Sequence, residues 1–147
     1  MPMTAHKAIA RRIPVDAFSQ GNVGIVESLV AEDFVAHTPF AHQRGAGVMR
    51  LKQAIALIRS AFPDIYYTVD QEVAEGDIVA LHLTARGTHM GSFFGIPPTN
   101  RQVAWTEIHV CRIIGGKLVE HHVQSDYVGL LRQLGTLQDF ARAVHRE

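Results

Sequence analysis

Little in this chain offers a scaffold other than its own core. The single cysteine, Cys111, excludes an intrachain disulfide, and no spaced Cys/His set of the zinc type is present. Charge excess is also absent: 14 Lys+Arg stand against 14 Asp+Glu, a formal net charge of +0. That balance argues against a broad electrostatic surface for nucleic acid or anionic lipid. No apolar run reaches the roughly 18 residues of a membrane span. The first ten positions, with His6 and Lys7, lack the apolar centre of a secretory signal, so the expected location is the cytoplasm. Internal repeats and low-complexity tracts are missing too.

What is there is enough for one domain. A chain of 147 residues and 16.2 kDa buries roughly 70% of the surface its unfolded form exposes, which allows a core with an internal pocket. The expected organisation is a single domain over 1–147, with its core at about 8–135 and a tail over 136–147. Nine histidines are the compositional oddity. They supply candidate acid/base groups near neutrality.

Residues 5–20 have the spacing of a helix that Pro14 either kinks or divides, and 23–31 read as a second short helix before an extended stretch at Phe34, Val35, Ala36 and His37. Residues 38–47 have a loop composition, with Pro39, His42 and Arg44. A third helix is expected over 48–62, ended by Pro63 and Asp64. Strands are expected over 65–73 and 78–88, followed by two hairpin arms around Gly115 and Gly116. Asp126 reads as the N-cap of a closing helix that stops at Gly135. A last short helix over 137–144 is also suggested. Helices followed by strands indicate an α+β fold rather than a parallel α/β sheet. A curved antiparallel sheet wrapped around the helices would enclose a conical cavity.

The hairpin register decides which polar groups can cooperate. A two-residue loop sets His109 opposite His122, whereas a three-residue loop with Gly116 in a left-handed bulge sets His109 opposite His121. The three-residue loop is preferred. It groups Trp105, Glu107, His109 and Cys111 on one face with Val119, His121, Val123 and Ser125, because side chains alternate with period two. A slip of one residue would exchange the partner set.

Several stretches resemble a known family: HTPF at 37–40, AFPD at 61–64, EGD at 75–77, GTHMG at 87–91, GIPPT at 95–99, GKLVEH at 116–121 and DYVGLLRQLG at 126–135. In this order they are similar to the SnoaL-like polyketide cyclases, or ester cyclases, of the nuclear transport factor 2 superfamily. The resemblance implies a cone-shaped α+β barrel, a homodimer or homotetramer, and neither metal nor organic cofactor. It also implies closure of a polyketide ring by an intramolecular aldol reaction, with an Asp as acid/base and a His assisting from the neighbouring strand. Aligned without gaps on GKLVEH, the assisting His falls on His109 and the Asp falls on Val123. Valine cannot transfer a proton, so the chain departs from the family pattern at that position.

The catalytic candidates are therefore His109, Glu107, His121 and Asp126. Glu107, opposite or diagonal to His121, could hold its tautomer for general base work; the plainer reading is that Glu107 and His109 are a satisfied polar pair. Asp126 is the carboxylate nearest the Val123 position, though a helix cap is its simpler role. His37, Trp105, Phe93, Phe94 and Val123 are candidates for substrate binding. The loop 91–100 that holds both phenylalanines serves equally well as a pocket edge or as a plug over the sheet end. His82 and Arg86 fall on the outer face of their strand. The expected activity is a cofactor-free cyclase, isomerase or lyase acting on a hydrophobic carbonyl compound. The alternative is a non-catalytic small-molecule-binding or assembly module, which a pocket without a carboxylate near His109 would favour. A hydrolase would need an Asp/Arg/Asn set that the sequence does not present.

Overall fold

Pro14 neither breaks the first helix nor merely bends it. In the computed structural model, which describes residues 2–38 and 47–137, helix α1 (Met3–Arg12) runs without interruption into a π-helical turn at Ile13–Phe18. The Ser19 N–H donates to the Pro14 carbonyl, a five-residue step, and the Ser19 hydroxyl donates to the same oxygen at 3.0 Å. The widened turn accommodates a residue that has no N–H and whose ring crowds the preceding carbonyls. It also carries Phe18 inward.

Helix α2 (Ile25–Leu29) is shorter than its apolar pattern suggests. Val30 already adopts extended geometry and opens strand β1 (Val30–His37). After helix α3 (Gly47–Ala61) come β2 (Tyr66–Glu75), β3 (Ile78–Thr88), β4 (Gln102–Ile114), β5 (Lys117–Ser125) and helix α4 (Tyr127–Gln133). The expected meander of β2 to β5 is present. Strand β1 joins it in parallel beside β5, giving the order β1-β5-β4-β3-β2. The fold is thus α+β, with N-terminal helices on a mostly antiparallel curved sheet. The expected helix over 137–144 and the loop at 39–46 with His42 lie, beyond Leu137 itself, outside the described residues.

The hairpin corrects the expected turn while keeping the expected face. Ile114 pairs with Lys117, so Gly115 and Gly116 form a two-residue loop, both with positive φ (59° and 78°). This is the geometry of a type I′ connection, which glycine enters without steric cost. The irregularity lies further along, where Arg112 pairs with Glu120 but Ile113 pairs with Leu118 and leaves Val119 extra. That bulge moves the register by one residue. His109 consequently faces Val123, and His121 faces Cys111. Leu118 replaces Val119 on the inner face.

Phe62 sits where these layers meet. Fully buried, its ring lies 5.0 Å from Trp105, 5.5 Å from Phe93 and 5.5 Å from His89. His89 ties down the start of the 91–100 loop: its Nδ1 accepts from the Thr99 N–H at 3.2 Å, and its carbonyl accepts from Asn100 at 2.8 Å. At the same end of the sheet, Asp126 Oδ1 accepts from the Gly129 N–H at 2.9 Å and caps α4. Gln133 then clamps α4 onto β4 through both backbone groups of Ala104.

Replacing Phe62 with Ala should lower the unfolding free energy by about 3–5 kcal/mol, whereas Asp126→Ala should cost about 1 kcal/mol. Chemical denaturation of the two variants measures the contrast.

Candidate active site

Strand β4 carries Trp105, Glu107 and His109 at alternate positions, so all three turn to the inner, buried face. Glu107 is the focus. The Trp105 indole N–H donates to its Oε2 at 2.7 Å, and His109 Nε2 lies 2.7 Å from its Oε1. From β5, His121 Nε2 stands 3.2 Å from His109 Nδ1, with the two rings edge to face at 4.8 Å.

The donor inventory assigns the protons. An indole only donates and an ionised carboxylate only accepts, so neutral His109 carries its hydrogen on Nε2 and accepts at Nδ1. His121 must then donate through Nε2, which leaves a lone pair on its Nδ1. That nitrogen is buried and has no hydrogen-bond partner among the described residues. Burial, followed by the charges that His109 and His122 can carry, holds the His121 imidazole well below its usual range. It is therefore neutral at physiological pH.

The chain of groups lines a cavity between the sheet and α3. Leu51, Ala54 and Ile58 of α3, with Phe18 from the π-helical turn and Val123 from β5, form its apolar wall. Tyr67, Tyr127, Ser125, Thr38 and Arg50 add polar groups. Burial first, and then the Glu107 carboxylate, push both tyrosine hydroxyls above their ordinary range, so both keep their protons. The Nε of Arg50 is also buried without a hydrogen-bond partner among the described residues. The centre of a water-sized sphere can range over about 40 Å³ inside, room for roughly three waters.

Of the catalytic candidates, Glu107, His109 and His121 are brought together. Asp126 is not: it is exposed and occupied as the cap of α4. Among the substrate-binding candidates only Val123 lines the cavity. Trp105 points inward, but its indole is spent on Glu107 and its ring packs on Phe62. Phe93 is buried against Phe62 and Tyr127 as a plug, and Phe94, with φ 47°, is 60% exposed beside it. His37 ends β1 on the outer face, because strand alternation turns Ala36 inward instead. Burial pushes the Cys111 thiol up to about 12, consistent with an inert core residue.

Sequence reasoning missed Arg50, Tyr67 and Tyr127. Arg50 was findable, since it lies four and eight positions before Ala54 and Ile58 on the same helical stripe. For Tyr67 the signal was alternation across the adjacent Tyr66 and Tyr67, only one of which can face inward.

The SnoaL-like polyketide cyclase family model matches residues 8–134. The chain belongs to that family. Nogalonic acid methyl ester cyclase of Streptomyces nogalater is 30% identical over 122 residues, covering 82% of this chain and 91% of the relative. Among solved structures, AclR of Streptomyces galilaeus, described provisionally as a hydroxylase, superposes with a TM-score of 0.80 at 29% identity, covering 92% of this chain and 87% of AclR. IdmH of Streptomyces antibioticus, described provisionally as a polyketide cyclase, gives 0.76 at 31% identity over 88% and 98% of the two chains. In this SnoaL-like chain the carboxylate nearest the cavity histidines is Glu107, on the same strand as His109.

A histidine held neutral in the fold makes stability depend on pH in a defined direction. The unfolded chain protonates His121 near pH 6.5, whereas the folded chain resists until lower pH, so the unfolded state takes up protons first and stability falls as pH drops below about 6.5. Thermal melts at about pH 7.5 and about pH 5.5 should show a smaller drop in His121→Gln than in the unaltered chain.

Proposed function

We propose that the chain is a SnoaL-like cyclase that closes a ring in a polyketide-type ester by an intramolecular aldol reaction, with Glu107, His109 and His121 as its acid/base system. The observation that carries this reading is the 2.7 Å contact between Glu107 and His109, continued at 3.2 Å to His121, all buried against one cavity. A non-catalytic binding module gives no reason to bury a carboxylate and two imidazoles in line. The names of the methyl ester cyclases among its relatives support the same substrate class. The name of AclR is a reminder that one fold carries more than one chemistry.

In this mechanism the free Nδ1 of His121 takes the proton from a carbon next to a carbonyl. The Nε2 hydrogen of His121 shifts to His109 Nδ1, so the positive charge comes to rest beside the Glu107 carboxylate. The electron pair left on carbon attacks a second carbonyl of the same molecule and forms the new carbon–carbon bond. The resulting alkoxide then recovers the proton by the reverse path, and nothing is oxidised or reduced. Tyr67, Tyr127 and Arg50 are donors within the same cavity for the enolate and alkoxide oxygens. The interior space suits the reacting end of a substrate, with the remaining rings outside it. The protein is taken to act in the cytoplasm as a homodimer or homotetramer; exposed Val35 and Ile108 on the outer sheet face support association.

The test is turnover of nogalonic acid methyl ester or aklanonic acid methyl ester, the compounds for which its relatives are named. His109→Ala and His121→Ala should each lower kcat by about 10²–10⁴-fold, with circular dichroism confirming that both fold. Unchanged turnover in both would remove this acid/base system from the mechanism. Glu107→Gln should reduce kcat while leaving KM within a few-fold, because its carboxylate touches His109 and not the substrate.

A further inference from the structure

We propose that His37, Glu120 and His122 form a binding site for a divalent first-row transition cation of the zinc type, on the outer face of the sheet and separate from the Glu107–His109–His121 system. The proposal departs from the absence of a metal expected from sequence. The backbone builds the site: β1 runs parallel to β5 with His37 directly beside His122, and Glu120 lies two residues before His122 on the same face. The two imidazoles stack at 4.2 Å with 11° between their planes, presenting their Nε2 edges side by side. Both edges address one carboxylate oxygen, since Glu120 Oε2 is 3.2 Å from His37 Nε2 and 3.8 Å from His122 Nε2. All three donor atoms lie within 4.8 Å of one another.

Those separations suit one small cation. With metal–nitrogen bonds near 2.0–2.1 Å, the edge of a tetrahedral site is about 3.3 Å, so the His37–Glu120 contact already matches it, while His122 Nε2 has to draw closer to both other donors; both rings are half exposed. Two imidazoles with one carboxylate are the ligand chemistry of zinc, nickel or copper rather than of magnesium or calcium. The other oxygen, Oε1, is held 3.7 Å from Arg112 Nε, which orients the carboxylate while leaving Oε2 for the cation. Water would fill the remaining positions. The site opens on a shallow cleft that shares Ala36, Thr38 and Arg50 with the interior cavity, so a cation bound there stands beside that cavity's wall.

Titration calorimetry with Zn²⁺ decides the matter, run on the unaltered chain, His122→Ala and Glu120→Gln. The expected result is one equivalent bound with micromolar affinity, weakened at least tenfold in His122→Ala and several-fold in Glu120→Gln, with no heat from Mg²⁺ at the same concentration. Imidazole NMR signals of the unaltered chain give a second reading that needs no variant: His37 and His122 should shift first on adding Zn²⁺, ahead of His6 and His82. Equal affinity in all three proteins, or first shifts at other histidines, would overturn the proposal.

Discussion

A carboxylate in the core is the constraint around which the inner face is arranged. Desolvating Glu107 costs several kcal/mol unless both oxygens find donors, and they do, from Trp105 on one side and His109 on the other. Each donor is then committed. Trp105 must lie along the strand, which turns its ring onto Phe62, and His109 must carry its hydrogen on Nε2, which makes Nδ1 an acceptor. The tautomer of His121 follows from that of His109, and the lone pair on its outer nitrogen follows in turn. One buried charge thus fixes the state of three other side chains on two strands.

The sheet can hold this chain of groups because of a single extra residue. Without the bulge at Val119, the two-residue turn would place His122 and not His121 on the inner face, directly opposite His109, and Val123 would turn outward. The same alternation puts the adjacent His122 outside, against His37 and Glu120. Adjacent histidines on β5 therefore serve opposite faces, one neutral and enclosed, the other open to solvent.

Membership of the SnoaL-like family sits alongside one local departure. At position 123, where the family resemblance implies an acid/base Asp, the chain has Val123, directly opposite His109 on the paired strand. A carboxylate does reach His109, but from two residues away on its own strand rather than from across the ladder. Val123 makes the β5 position directly across from His109 apolar, while His121 of β5 meets one nitrogen of the imidazole and Glu107 of β4 meets the other. The cavity holds a carboxylate–imidazole pair whose two members both stand on β4.

Local pattern alone determined a good deal. Alternation in β3, the helical stripe of α3, the Asp126 cap and the paired glycines are short-range signals written in neighbouring residues, and the elements they mark are present. The inner grouping of Glu107, His109 and His121 was also legible, although it was reached through a turn of the wrong length that the Val119 bulge happened to offset. Tertiary structure alone decided the rest. The parallel pairing of β1 with β5 joins residues more than eighty positions apart, and no local periodicity reports a partner at that distance. For that reason His37 could not be placed beside Glu120 and His122, nor Phe93 beneath Tyr127, until the chain had closed on itself: burial and pairing belong to the whole surface a residue meets, and most of that surface comes from elsewhere in the sequence.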